Sequence, residues 1–407
     1  MPSLWSLRFK GLAAPVILPT DAGLLDALRQ CVRNWDFSVS MHEPAVMPDR
    51  RPVCILEPRG EGRFRAHSLY LDKPLDALCG ASAICAVLAD LSQAFADLQD
   101  CHEFGLHCGG VTLGSRTIIL AGERRAGKST LVARLACDPG VEVLGDDVLP
   151  IDRSGQITGL GLAPRLRLPL PEGASRTFRD YVKAHLGPAD SRYGYLLTPA
   201  LAPHGRHARA EVFILLDRRP DAPARLHHLH DGELLQAIIA RSIAGPDGPE
   251  AVLNAAETLA AGLVGVRLVY SDLEDAARLL HRAFAGAEGP EAPAIHIAPP
   301  LPPASAPQMR GPAPVSPHLR LARAPETAIR QISGAAFLWR PDGAMLWHLN
   351  PAALAIWTLL ETPGTALEIA DTLTEIFPDV DPPQLLHDAI QLLAQLCEEG
   401  FVIPAAV

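Results

Sequence analysis

Nine residues in the middle of the chain, Gly122-Glu-Arg-Arg-Ala-Gly127-Lys128-Ser129-Thr130, carry the spacing G-x-x-x-x-G-K-[ST] and continue into a threonine. Glycines at those positions let the backbone wrap phosphate groups with its N–H donors, and a helix starting at the lysine adds its positive end. Lys128 would reach the outer phosphates of a nucleotide, and the Ser129 hydroxyl would ligate Mg²⁺. The context suits such a loop, with an apolar strand over Thr117–Leu120 before it and a helix over 128–136 after it. A second run, Val141-Glu-Val-Leu-Gly-Asp146-Asp147-Val148, is an apolar strand that delivers two adjacent carboxylates. Phosphoryl-transfer enzymes hold Mg²⁺ at such a strand end and, in kinases, a proton acceptor for the attacking hydroxyl. Two neighbouring carboxylates repel, so one pKa should rise unless a metal neutralises the pair.

Other clusters carry less. Cys101-His102 and His107-Cys108 lack the paired two-to-four-residue spacing of a zinc site. His204, His207, His227, His228 and His230 read as a solvated histidine-rich loop. Arg165 and Arg167, in Pro-Arg-Leu-Arg-Leu-Pro-Leu-Pro, and Arg192 could clamp phosphate or substrate, but they read better as ordinary surface arginines and are left out of the expected site.

The elements that must position the loop are those of an α/β protein. Continuous apolar runs predict strands at Ala14–Leu18, Val53–Leu56, 117–120, Val141–Leu144 and Val212–Leu216; helical periodicity covers 21–33, 75–99, 128–136, 233–243 and 250–263. Of 407 residues, 48% are hydrophobic and 20% charged, which excludes a disordered or collagen-like chain. A net charge of −10 argues against a broad nucleic-acid surface. Eight cysteines without CxxC pairs read as reduced thiols. No signal peptide and no apolar run of spanning length is seen, so a cytoplasmic chain without membrane contact is expected.

Between residues 290 and 317, ten of the 38 prolines fall in 28 residues, an expected extended linker. Such a linker reaches about 30 Å if flexible and about 85 Å if fully polyproline. The expected organisation is an N-terminal α/β portion (1–100) packed on the core of a P-loop domain (101–286), the linker (287–316) and a C-terminal module (317–407). In that module, strand-like stretches at 327–332, 335–340 and 344–349, with a Pro-Asp-Gly turn at 341–343, precede three helices. Asn350-Pro351, Thr365 with Glu368, and Asp381-Pro382 mark their starts, and Gly400 stops the last. Strands followed by a helical trio suggest a winged helix-turn-helix. The last helix has no Arg or Lys between Asp381 and Glu399, which argues against DNA.

Two resemblances emerge from these residues. His107-Cys-Gly-Gly-Val, the loop from Gly122 to Thr130 and the pair Asp146-Asp147 resemble the catalytic core of HPr serine kinases, with His107 fifteen residues before Gly122 as in that family. The resemblance covers about 100–153. It implies a P-loop kinase domain of the HPr kinase type using ATP and Mg²⁺. Lys128, Ser129 and Thr130, with Gly122 and Gly127, would hold the nucleotide. Asp147, with Ser129, would hold the metal, Asp146 would act as base toward a serine hydroxyl, and His107 would lie near the phosphate. It also leaves a homo-oligomer open. Glu123-Arg124-Arg125 stands where that family has small residues, which marks a divergent relative.

Residues 317–403 resemble PqqD-like peptide chaperones, through Leu349-Asn-Pro-Ala-Ala-Leu-Ala-Ile-Trp357, Glu368-Ile-Ala-Asp-Thr-Leu373 and Glu399-Gly-Phe-Val402. This resemblance implies a partner, the leader of a ribosomally made precursor peptide, bound as an added strand. Together the two imply a peptide serine kinase in natural-product biosynthesis. An idle nucleotide-sensing chaperone and a regulatory protein kinase are the alternatives.

Overall fold

A computed structural model describes residues 3–42, 50–98, 102–286, 297–301, 314–332, 335–341, 343 and 346–405. Cys101, most of the Pro-rich segment and Asp342 of the Pro-Asp-Gly turn lie outside them. The fold is mixed α/β, with strands on the apolar runs. The chain divides into two compact units: Met1–Leu229, Ala237–Pro246 and Glu257–Pro300 form one, and His230–Gln236, Asp247–Ala256 and Leu301–Val407 the other.

In the first unit, the strands that frame the glycine loop belong to one six-stranded sheet. They are β1 (Gly109–Leu113), β2 (Arg116–Gly122), β3 (Val141–Asp146), β5 (Val212–Arg218), β6 (Arg225–His228) and β7 (Val264–Tyr270), in the order β3-β1-β2-β5-β7-β6. Helix α1 (Lys128–Leu135) follows β2, a short strand β4 (Arg165–Arg167) lies in a separate small sheet, and α2 (Leu273–Phe284) follows β7. Strands β2, β5 and β7 run parallel, whereas β1, β3 and β6 pair antiparallel with their neighbours. Parallel strands covered on both faces need continuous apolar sequence. Ile118, Ile119, Leu120, Phe213, Ile214 and Leu268 meet that need and are shut from solvent. Gly109 on β1 is dictated by helix packing: a Cβ there would lie 2.6 Å from Val132 Cγ2 of α1. Ala298 extends the sheet by main-chain hydrogen bonds to the β6 edge, at Leu226 and His228.

The N-terminal residues form a second six-stranded sheet, from Leu4–Phe9 to Leu75–Leu78, with helices Ala22–Cys31 and Gly80–Ala96. One apolar core runs continuously from Leu7 of this sheet to Phe284 of α2. The helix expected from residue 75 starts at Gly80, because Leu75–Leu78 pairs with Phe64–Ser68 instead. Two helices, Arg176–His185 and α2, form outside the expected ones.

In the second unit, β8 (Ala328–Ile332), β9 (Ala335–Trp339) and β10 (Trp347–Leu349) make an antiparallel sheet, and Leu321–Arg323 pairs with Val402–Pro404. Helices α3 (Pro351–Leu359), α4 (Ala366–Ile376) and α5 (Pro382–Glu398) follow. The Asn350 side chain accepts from Ala353 N–H, and Thr365 and Glu368 form a reciprocal capping box. Asp381 precedes α5 without the side-chain cap expected of it; Pro382 at the first turn supplies the preset φ. Trp357, Leu338, Leu349, Leu373, Leu393 and Leu396 close the core. No described helix is long and apolar enough to cross a membrane.

Candidate phosphate and metal site

The loop from Gly122 to Gly127 leaves the carboxyl end of β2 and enters α1 through Gly127, whose φ of +97° only glycine adopts without strain. A Cβ on Gly127 would come 2.8 Å from the Tyr270 hydroxyl, which donates a 2.7 Å hydrogen bond to the Ala126 carbonyl. Tyr270, at the end of β7, thus pins the loop from beneath. The Lys128 ammonium donates to the Gly122 carbonyl at 3.2 Å, folded back across the loop. Arg241 braces the outside: its guanidinium donates to Glu123 at 2.8 Å, and its carbonyl accepts the His107 N–H at 2.7 Å.

Ladder pairing brings the carboxylates to the same end of the sheet. Asp146 on β3 pairs with Gly109 on β1, and Gly109 pairs with Leu120 on β2, two residues before Gly122. The Asp147 amide donates to the Cys108 carbonyl at 3.2 Å, which sets the pair beside His107. His107 Nδ1 lies 3.4 Å from Asp147 Oδ1. Asp147 sits at φ +106°, a backbone conformation that costs a non-glycine residue of order 1–3 kcal/mol.

The two acids differ in environment. Asp146 Oδ1 is shut from solvent with no hydrogen-bond partner. Burial, with the charge of Asp147 second, pushes the Asp146 carboxyl up to about 7; the Ser129 hydroxyl and the side chain and amide of Arg165 offset part of this. Asp147 is more open, facing His107 on one side and Arg165 Nη2, at 3.7 Å, on the other. His107 is held below its ordinary value by burial first, with the cations Lys128, Arg165 and Arg241 adding and Asp147 opposing.

All the expected site residues therefore gather at one place: Gly122, Gly127, Lys128, Ser129 and Thr130 at the loop, with Asp146, Asp147 and His107 beside them. The Mg²⁺ that the kinase resemblance implies would find the oxygen donors it prefers, the Ser129 hydroxyl and a buried carboxylate with an unpartnered oxygen. These residues fit the ion. Among the described residues, no group of three or more His, Cys, Asp or Glu could hold a metal by itself, so phosphate and water would complete such a shell.

Sequence reading missed three members. Arg165, expected as a surface arginine, instead has its guanidinium against the Cys85 thiol, the Tyr193 ring and Asp147. Arg241 and Tyr270 were not singled out, and nothing in their local sequence distinguishes them. Asp217, near the end of apolar strand β5, is tied to Arg219 and Arg267 and is spent as an ion-pair hub. His102 is buried, and His204, expected in a solvated histidine-rich loop, instead stacks on Trp35 at 4.3 Å.

Residues 336–402 match the family model of PqqD, coenzyme PQQ synthesis protein D. The matched stretch runs from β9 to Val402. Among solved structures, the chain is similar to TbiB1 in complex with the TbiA(beta) leader peptide, at 21% identity over 21% of this chain and 99% of that one, with a TM-score of 0.20. It is also similar to the Hpr(Ser) kinase/phosphatase from Coxiella burnetii, at 12% identity over 41% of this chain and 85% of that one, with a TM-score of 0.21. No curated protein gives a significant sequence match.

Proposed function

We propose that the chain is a Mg-ATP-dependent kinase that phosphorylates a serine of a ribosomally made precursor peptide, with its PqqD domain holding the leader. One observation carries the reading: a phosphate-type loop, a carboxylate pair and His107 converge at one sheet end in a chain that also contains a PqqD domain.

The environments favour an exchange of the carboxylate roles that the kinase resemblance implies. Asp146 is enclosed beside Ser129, where a peptide hydroxyl would not reach, so Asp146 and Ser129 would hold Mg²⁺. Bound there, the ion would supply charge neutralisation for the nucleotide phosphates. Asp147 faces outward, so it would accept the serine proton as the serine oxygen bonds to the γ-phosphorus and the bond to the ADP oxygen breaks. Lys128 and the loop amides would stabilise charge on the transferring group. His107, held toward neutrality, would orient the Asp147 carboxylate from its other side.

The PqqD domain supports peptide capture by strand addition. Among the described residues, β10 pairs only with β9, which leaves its other edge open to a partner strand. Tethering the substrate in this way raises its effective concentration to around millimolar. The test is to incubate the chain with γ-labelled ATP, Mg²⁺ and a candidate serine-containing precursor peptide with its leader. Label on a serine supports the kinase. Binding of both ATP and peptide without transfer would instead leave a nucleotide-sensing chaperone.

A further inference from the structure

The small sheet behind the carboxylate pair holds a residue whose contacts exceed what a surface arginine needs. Arg165 opens β4, where it pairs with Tyr195 across an antiparallel ladder while Arg167 pairs with Tyr193. Its guanidinium makes three contacts with different chemistry. Nη1 donates to the Cys85 thiol of helix Gly80–Ala96. The Tyr193 ring lies 5.2 Å below the guanidinium carbon. Nη2 points toward Asp147 Oδ2, 3.7 Å away. Its main chain adds a weaker influence, since its amide helps to lower the Asp146 carboxyl against the effect of burial.

One residue therefore acts on both acids, electrostatically on Asp146 and through its side chain on Asp147. A flat, forked cation suits this position, because it presents separate N–H groups to thiol and carboxylate while its face rests on a ring. Asp147 needs such restraint: it holds a left-handed backbone conformation at a strand end, and its carboxylate is more open to solvent than that of Asp146. The restraint has two anchors of its own, Cys85 and Tyr193, both on other elements of the same unit.

We infer that Arg165 is a positioning residue for phosphoryl transfer, fixing Asp147 in its working orientation while Cys85 and Tyr193 fix Arg165. The inference rests on the kinase reading given above. Misplacing a reacting group by about 1 Å costs on the order of 100-fold in rate, whereas the glycine loop that binds nucleotide is untouched by this change. The expected signature is a loss confined to turnover. Arg167, over the same ring at 6.0 Å but exposed and without a carboxylate partner among the described residues, is the matched control.

The experiment compares the full-length parent, Arg165→Met, Arg165→Lys and Arg167→Met, using Mg-ATP turnover and the affinity for a fluorescent ATP analogue. Arg165→Met should lower kcat by about 10- to 100-fold, with KM for ATP and analogue affinity within about threefold of the parent. Arg165→Lys should recover little of the loss, because a point charge cannot span thiol and carboxylate together. Arg167→Met should match the parent. Millimolar guanidinium should restore part of the rate to Arg165→Met. Parent-like turnover in Arg165→Met would overturn the inference, as would a parallel loss of analogue affinity and turnover, which marks a general structural role. A parent that binds the analogue but turns over no ATP would overturn the kinase reading itself, and the inference with it.

Discussion

Replacing Asp146 by Asn should make the metal-free protein more stable at neutral pH, although it removes a residue of the proposed active site. In the unfolded chain an Asp titrates near 3.9, whereas burial and Asp147 hold the folded carboxyl at about 7. Between those values the folded protein keeps a proton that the unfolded chain has lost. Unfolding then releases a proton, so stability falls as pH rises, by about 1.4 kcal/mol per unit. Roughly three units give about 4 kcal/mol, and about 2–4 kcal/mol after allowance for the partial exposure of the residue. Asparagine cannot ionise and escapes this loss. The difference in Tm, variant minus parent, should be near zero below about pH 4, climb through about pH 4–7 and level off above it. For a chain of this size that difference amounts to several degrees. Thermal melts across this range in chelator-treated buffer read it directly, and saturating Mg²⁺ should close the gap by neutralising the pair. Parallel Tm–pH curves for parent and variant would refute the argument, because they would mean that the Asp146 carboxyl is not perturbed by folding.

Other expectations follow from the same geometry. Lys128→Ala should cut phosphoryl transfer by at least about 100-fold while melting like the parent, since its hydrogen bond to the Gly122 carbonyl supports no core; turnover and a melt on one sample check both. Gly127→Ala should cost about 1–3 kcal/mol and weaken ATP-analogue binding, because the new Cβ meets the Tyr270 hydroxyl at a positive φ; urea unfolding with an analogue titration measures it. Asp146→Asn should raise the Mg²⁺ requirement, whereas Asp147→Asn should lower turnover even at saturating Mg²⁺; metal titrations of both variants separate the roles, and the reverse pattern would restore the assignment implied by the resemblance. Leader binding by the isolated module, residues 317–407, should change little between low and high salt, since strand addition rests on backbone bonds and apolar pockets; a fluorescence titration at two salt concentrations tests this.

The strands and the loop were legible because their sequence signals are local. The apolar runs at 117–120, 141–144 and 212–216 became β2, β3 and β5, and Asn350 and the Thr365–Glu368 pair cap helices as their spacing demands. Local signals failed where pairing decided. Leu75–Leu78 reads as the start of a helix but finds a strand partner in Phe64–Ser68. In the site, motif residues announced themselves, whereas their supports did not. Arg165, Arg241 and Tyr270 lie 18 or more positions from the Asp pair and the loop they contact. In a chain whose basic residues are almost all arginines, single arginines carry little signal. The contrast in environment between Asp146 and Asp147 was equally hidden, because adjacent residues at a strand end share a sequence context while one is enclosed beside Ser129 and the other faces out.

The central claim, transfer of phosphate to a peptide held by its leader, is tested most directly by comparing two substrates of the intact chain. Full-length precursor and its leaderless core, each incubated with Mg-ATP over a range of concentrations, are followed by mass spectrometry for the gain of one phosphoryl group on serine. The account predicts phosphorylation of both, with a far lower KM for the full-length peptide and similar turnover at saturation, because the leader contributes binding rather than transition-state stabilisation. Equal KM values with and without the leader, or phosphate on neither peptide while ATP and leader both bind, would contradict it.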